Sequence, residues 1–483
     1  MADLTSASAA SAATADVLIL GAGISGLTAA HRLRQLGYCP IVTECRDRVG
    51  GAMGTQRRDG FQWEDGPNSF TPNPTLLNLA ANVGLADQLV WADGKLPRFV
   101  YWDGRLLPVP MSPPAAITSQ LLSVGGKLRV LRGLLGFVLS PPTREETVRE
   151  FFTRQLGSQA CDRLVAQFVS GVYAGNPDSL SASGAFGRVT DLEAKHGSLF
   201  AGILREPRSP KPPLAPEIPA PKRGQLGTFK DGLQTLPQAI ASDLGDDVVK
   251  LQWQARCISQ REDGSFSVEF ETPAGVQTLC GHALITTAPA YTAAELLREL
   301  QPEAADLLET IPYPHVAAVA LGYPVSALPQ PFAGFGQLFP RDRGIRTLGT
   351  IWTSSLFPGR APDGYHCLLS YIGGALDPDA GQCTDAELAE AVHRDLRRTL
   401  LTRQVEPQVL GVKRWPRAIP QPTLGHRDRV EQLTASLAAF PGLFLCANYL
   451  DGVALGTCVE RAQSCGDRVA EYLAEIKLHA NER

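Results

Sequence analysis

Residues 17–26 read VLILGAGISG, and the chain continues through LTAAHRLRQLGY to CPIVTECRDRVGG, which ends at Gly51. An apolar run leads into three glycines, Gly21, Gly23 and Gly26, and then into a helix-like pattern. The order predicts a buried parallel strand over 16–20, a helix over 24–36 and a second strand over 40–44, a βαβ unit. In such a unit Gly21 permits the tight turn, Gly23 lets the backbone approach a pyrophosphate, and Gly26 lets the helix pack on the sheet. Ile24 and Ser25 open the helix, whose free N–H groups and positive dipole end favour phosphate. Glu44 ends the second strand, with Cys45 beside it, where a carboxylate bonds ribose hydroxyls. A glycine turn that binds nothing is the competing reading. The unit alone does not separate FAD from NAD.

Composition narrows the field. The chain has 483 residues, enough for two or three domains. Its formal net charge of −4 gives no basic field for nucleic acid. The ten cysteines form no CxxC pair and, with the eight scattered histidines, no zinc spacing, so no metal site is expected and the thiols read as unpaired. Residues 1–15, MADLTSASAASAATA, lack the basic start and apolar centre of a secretory signal and read as a disordered tail. A cytoplasmic protein of bacterial type is the expectation; an organellar protein without its presequence is the alternative. No run of eighteen uncharged apolar residues exists, so no transmembrane helix is expected.

Further along, Asp103-Gly104 signals a hairpin, residues from about 111 to 190 turn helical, and 205–223 are proline-rich, basic and read as an exposed loop. Residues 316–372 are strand-like, and 384–404 form an amphipathic helix. The tail from Gly442 reads strand, glycine turn, long helix, which suits a second edge of the nucleotide-binding sheet.

RDRVGGAMGT, at 46–55, places Arg48 and Gly50-Gly51 just past the acid, where a second glycine turn with a cation can hold the pyrophosphate from its other side. This resembles the flavin amine oxidase superfamily, in which R-x-G-G follows the ribose acid. CANYLDGVALGTCVERA matches that superfamily's last flavin contact, with Asn448, Gly452, Val453 and Ala454 at the turn. FAD is the cofactor so implied. WEDGPNSF (63–70), AGNPDSLSA (174–182), FKDGLQTLP (229–237), LGTIWTSSLFPGRAP (348–362) and NYLDGVALGTCVE (448–460) occur in this order. Together they resemble the oxygen-dependent protoporphyrinogen oxidases over residues 16–475.

That resemblance implies an α/β and α+β architecture of three parts. A Rossmann-like FAD-binding domain would be assembled from the discontinuous segments 16–88, 224–290 and 411–477. A mixed-sheet substrate-binding domain would take 89–108, 191–223 and 291–410, and a mainly helical membrane-binding domain 109–190. Gly66, Pro67, Asn68 and Trp415 would join the glycine turns and Glu44 around FAD. Arg98 would face a propionate carboxylate, as a guanidinium suits. Gly175 would lie near a pyrrole ring, although a helix C-cap is its plain alternative. Trp352 would stack on a ring, where the family has Phe or Tyr, and Leu338 would form an aliphatic wall; ordinary core positions are the alternatives for both.

The implied reaction takes six electrons from protoporphyrinogen IX in three rounds, reducing three O2 to three H2O2, with the chemistry at flavin N5 and no catalytic residue assigned. His315 and His366 are candidate bases by residue type alone. Residues 117–139 set Leu121, Leu122, Leu128, Leu131, Leu134, Leu135, Phe137 and Val138 against Lys127, Arg129 and Arg132, a pattern for a helix lying in a membrane surface. Protoporphyrinogen IX, O2, a peripheral membrane surface and a second copy in a homodimer are the expected partners. Coproporphyrinogen as the substrate, another flavin oxidoreductase such as an amine oxidase or carotenoid-type desaturase, and a flavoprotein without enzymatic activity are the competing functions.

Overall fold

Val17 and Ile19 face one side of their strand and Leu18 and Leu20 the other, and all four are buried. A strand buried on both faces needs a layer on each. In the computed structural model, which describes residues 13–206 and 212–481, that strand spans Ala13–Leu20 and lies inside a seven-stranded sheet. The order across it is Gln254–Gln260, Phe266–Thr272, Gly275–Thr286, Ala13–Leu20, Pro40–Glu44 and Val249–Leu251, with Leu443–Leu445 also pairing to Gly275–Thr286. The strands around Ala13–Leu20 are parallel and come from distant parts of the chain. Helices Ile24–Gln35, Thr235–Leu244 and Leu455–Asn481 cover one face; Ala290–Leu297, Pro302–Glu309 and His426–Leu437 cover the other.

A second seven-stranded sheet runs Gln408–Trp415, Val316–Pro324, Tyr365–Gly373, Thr347–Ile351, Gly336–Leu338, Arg98–Trp102 and Arg105–Pro108. The hairpin expected at Asp103-Gly104 is there, with φ of 48° and 83°, values that a two-residue turn of this kind requires. Helix Asp385–Thr399 covers one face, and Phe61 and Trp63 pack on the other. The helical part holds Val148–Leu156, Ala166–Tyr173 and Gly187–His196 around Phe151, Phe152 and Val169.

Several expected boundaries move. Of the disordered tail expected over 1–15, residues 1–12 lie outside the described residues, but residues 13–15 are strand, paired with Leu279, Cys280 and Gly281. The helical part does not stop at 190, because Leu192 and Leu199 pack into the same cluster and helices continue to Arg205. Helices 290–297 and 302–309 belong to the first sheet's layer, since their alanines and leucines pack on Leu18 and Phe266. Strand Gln408–Trp415 belongs wholly to the second sheet. The described part of the proline-rich stretch is irregular yet anchored: Ile218 is buried in the first sheet's core, and Asn78 bonds both Pro213 O and Ala215 N.

Candidate functional site

The first glycine turn folds as its spacing demands. Gly21 has a φ of 108°, closed to ordinary side chains, and its N–H donates to Thr43 O at 2.8 Å. A Cβ on Gly26 would sit 1.9 Å from Gly21 O, so only glycine lets the helix start this close to the turn. Gly23 is different: a Cβ there would meet nothing within 4 Å. It is the N-cap of Ile24–Gln35, no side chain caps it, and the first turn holds no acid. The uncapped N–H groups therefore face a cavity.

Glu44 is buried, and its carboxylate is fixed by Ala22 N on one oxygen and Arg46 N on the other, each at 3.0 Å. Burial and the neighbouring Glu44 push the Cys45 thiol up, so it stays protonated. Gly50 N donates to Ala22 O at 2.8 Å, and a Cβ on Gly51 would lie 3.3 Å from Gly23 Cα, so the two glycine turns face each other. Arg48 stands behind this turn and does not line the cavity: Nη1 donates to Val49 O and Met53 O and Nη2 to Gly51 O, all at 3.1 Å. It pegs the turn, which corrects the expectation that it faces phosphate.

Opposite lies the stretch Asp65–Asn68. Trp415 Nε1 donates to Asp65 O at 2.8 Å and the Tyr371 hydroxyl to Gly66 O at 2.9 Å, so both aromatic residues hold its backbone. A Cβ on Gly66 would lie 2.2 Å from Ala52 O. Asn68 is buried with Nδ2 unpartnered. Asn448, Gly452, Val453 and Ala454 close the same cavity ahead of helix Leu455–Asn481, and Gly452 has a φ of 121°. The cavity measures about 1920 Å³, beyond the range of about 300–1,000 Å³ for a single small-molecule site. It has room for a dinucleotide and a second large molecule.

Comparison with known proteins decides the family. The model of the flavin containing amine oxidoreductases matches residues 24–474. Protoporphyrinogen oxidase of rice chloroplasts is 44% identical over 479 residues, covering 96% of this chain and 89% of that protein. The chain belongs to the flavin-containing amine oxidoreductases, among the protoporphyrinogen oxidases. Coproporphyrinogen III oxidase of Bacillus subtilis is 30% identical, covering 95% of this chain and 98% of that protein. A crystal structure from Exiguobacterium sp. 255-15 aligns with a TM-score of 0.77 at 25% identity, over 95% of this chain and 99% of that one.

As a member of this family the chain is an oxidoreductase with FAD as cofactor. Its residues fit that group: the open space at Gly23, the uncapped helix, the fixed Glu44 carboxylate and the orphaned Asn68 amide all border one cavity.

The tetrapyrrole residues expected from this family fare less evenly. Arg98 is half-buried over the Phe335 ring, 5.1 Å from its centroid, beside a separate pocket of about 20 Å³. The strand next to the second sheet's edge holds it there, outside the lining of the large cavity. Trp352 is core: it stacks on Phe332 at 4.3 Å and Phe99 at 5.4 Å, and its Nε1 donates to Gln337. Leu338 sits one layer back, where a Cβ on Gly171 would meet it at 2.3 Å, and Gly171 lines the cavity in its place. Gly175 is buried between Leu180 and Gln421, and the helix cap is Ala174, left-handed at a φ of 50°. His366 bonds Ser354 and packs on Phe332, and His315 lies away from the cavity.

Sequence reasoning missed Tyr371, Gly171, Leu348 and Ile351, all cavity-lining. They sit inside regular strands or a helix, where nothing in the local pattern marks them. His426 also lines the cavity, with Nε2 on Tyr449 O at 2.8 Å and its pKa lowered, chiefly by burial.

Proposed function

We propose that this chain oxidises protoporphyrinogen IX to protoporphyrin IX at FAD in the large cavity, reducing three O2 to three H2O2. The likeness to chloroplast protoporphyrinogen oxidases along nearly the whole chain carries this reading. The glycine turns and the start of helix Ile24–Gln35 would hold the pyrophosphate, Glu44 the ribose, and Asn68 with Asn448–Ala454 the ring end. FAD, when bound, supplies the two-electron acceptor and the reactivity with O2.

The chain's part is to bind, orient and enclose. Tyr371 and Trp415 fix the Asp65–Asn68 wall through its carbonyls. Burial pushes the Tyr371 hydroxyl up, so it stays a donor. His426 is tied through Nε2 to Tyr449 O, and burial lowers its pKa, so the ring stays neutral there.

The helical part also supports a peripheral membrane contact. Ile117, Val124, Leu128, Leu131, Leu135, Phe137 and Leu139 are each at least half exposed, on helices Pro113–Thr118 and Val124–Leu134 and just past the second, and Lys127 and Arg132 lie among them. No described helix is long and apolar enough to cross a membrane. Such a surface suits a poorly soluble porphyrin.

The test is oxygen uptake and porphyrin fluorescence with protoporphyrinogen and coproporphyrinogen side by side. Faster turnover of protoporphyrinogen is expected. Preference for coproporphyrinogen would overturn the substrate, and oxidation of neither would overturn the function.

A further inference from the structure

We propose that Arg188 anchors a propionate carboxylate of the substrate at the mouth of the large cavity; the assignment rests on the function proposed above. Besides the glycine turns, the cavity is lined by Phe168, Gly171, Val172, Tyr173, Phe186 and Leu348, which suits a macrocycle but not its carboxylates. A dicarboxylate entering there needs a cation that is not already engaged.

Six arginines border the cavity, and five are engaged. Arg46 donates to Gly51 O, Arg256 pairs with Glu271, and Arg461 pairs with Asp451. Arg417 lies over the Tyr291 ring, 4.5 Å from its centroid. Arg427 places Nη1 and Nη2 each 3.1 Å from Asp191 Oδ1, while its Nε donates to Ser183 O. That leaves Arg188, whose guanidinium makes no hydrogen bond or ion pair among the described residues.

Its freedom has a structural cause. Arg188 and Asp191 are three apart on helix Gly187–His196, the spacing at which opposite charges pair. Arg427 reaches across from helix His426–Leu437 and takes Asp191 instead. Gly187 makes this possible, since a Cβ there would lie 2.7 Å from Arg427 Nη2. Arg188 is left exposed, and Phe168 and Val172, which line the same cavity, are 45% and 42% exposed. The macrocycle would enter between these apolar residues with its acid edge trailing to Arg188. Arg98, beside its own small pocket, is not needed for this contact.

The test compares wild type, Arg188→Ala, Arg188→Lys and Arg98→Ala, each as full-length holoenzyme. Substrates are protoporphyrinogen IX and its uncharged dimethyl ester, and binding of protoporphyrin IX is titrated in parallel by fluorescence. Arg188→Ala should raise KM for the diacid, and Kd for protoporphyrin IX, by about tenfold or more. Its kcat/KM for the ester should stay within about twofold of wild type, because the lost contact is ionic, and Arg188→Lys should recover part of the diacid preference. An unchanged diacid KM, an equal rise for the ester, or loss of the preference in Arg98→Ala alone would overturn the assignment while the function stands. A wild type that oxidises neither porphyrinogen would overturn both.

Discussion

Two alanine substitutions three residues apart, Gly23→Ala and Gly26→Ala, should fail in different ways. At Gly26 the new methyl would stand 1.9 Å from Gly21 O and 3.3 Å from Ile19 Cγ2. The helix start must then retreat by about 1 Å, an overpacking cost of about 1–3 kcal/mol. The apoprotein should therefore melt a few degrees lower, before any cofactor is added. At Gly23 the φ of −73° already suits alanine and the methyl meets nothing, so the apoprotein should melt at the wild-type temperature or slightly above. The methyl instead projects towards the space argued to hold pyrophosphate. Displacing the phosphates from two backbone N–H groups, at about 1.5–3 kcal/mol for each charged hydrogen bond, weakens FAD binding by roughly two to four orders of magnitude. Differential scanning fluorimetry of the stripped protein, with and without added FAD, separates the two effects, and flavin fluorescence quenching gives Kd. A Gly23→Ala protein that binds FAD like wild type would refute the placement of pyrophosphate. A Gly26→Ala apoprotein with unchanged melting would refute the steric argument.

Glu64 is buried, and burial raises its pKa from 4.5 to about 7, while Thr55 Oγ1 and Leu233 N donate to it. Between these two values the folded protein holds a proton that the unfolded chain has lost, so stability falls as pH rises through the window, by up to about 3 kcal/mol. Glu64→Gln keeps the Leu233 N bond at its amide oxygen, with the Thr55 hydroxyl turned to accept from the amide nitrogen; it should remove this slope, and should be more stable than wild type at pH 8 in urea denaturation. In the helical part, buried Arg154 sits between Glu146 at 2.6 Å and Glu193 at 2.7 Å. Arg154→Leu leaves two buried carboxylates facing each other and should cost about 3–5 kcal/mol, read as faster proteolysis between 140 and 205. Replacing Leu128, Leu131 and Leu135 by Gln should lower flotation with anionic vesicles by roughly a hundredfold or more, with detergent-dispersed substrate still oxidised; unchanged flotation would count against the membrane contact.

The cofactor half of the cavity was legible because its chemistry is written in backbone. Gly21, Gly26, Gly50 and Gly51 are required by turn conformation and close approach, and such requirements leave fixed spacings in the sequence. Even here Arg48 misled. A cation beside a phosphate-binding turn reads as a ligand, but its guanidinium is taken by three carbonyls of that same turn. A hydrogen-bonding side chain does not reveal from sequence whether it serves the ligand or the loop. The expected strand near the C-terminus was legible for a different reason: Leu443–Leu445 is short and apolar and sits between a turn and a long helix, so only a parallel sheet edge suits it.

The substrate half was much less legible, and the motif AGNPDSLSA shows why. Asn176 turns the chain through the Asp178 N–H, and Ser181 caps the next helix at Gly184 N. Ser181 and Ser183 both donate to one oxygen of Glu145, whose other oxygen accepts from Gly425 N. These contacts tie the helical part to the stretch leading into helix His426–Leu437, and that helix carries Arg427 to Asp191. The motif therefore latches two cavity walls together, and of its residues Ala174 alone borders the cavity. A signature can identify a substrate without touching it, because it fixes the distance between the walls that do. The cavity wall itself includes Gly171, Leu348 and Ile351, whose neighbours in sequence give no sign of that place. On this view the latch is as specific to the porphyrinogen as the lining: Ser181→Ala, which removes the helix cap and one bond to Glu145, should raise KM for protoporphyrinogen while FAD affinity holds. Equal losses in both would mean that the latch supports the whole fold rather than the spacing of these two walls.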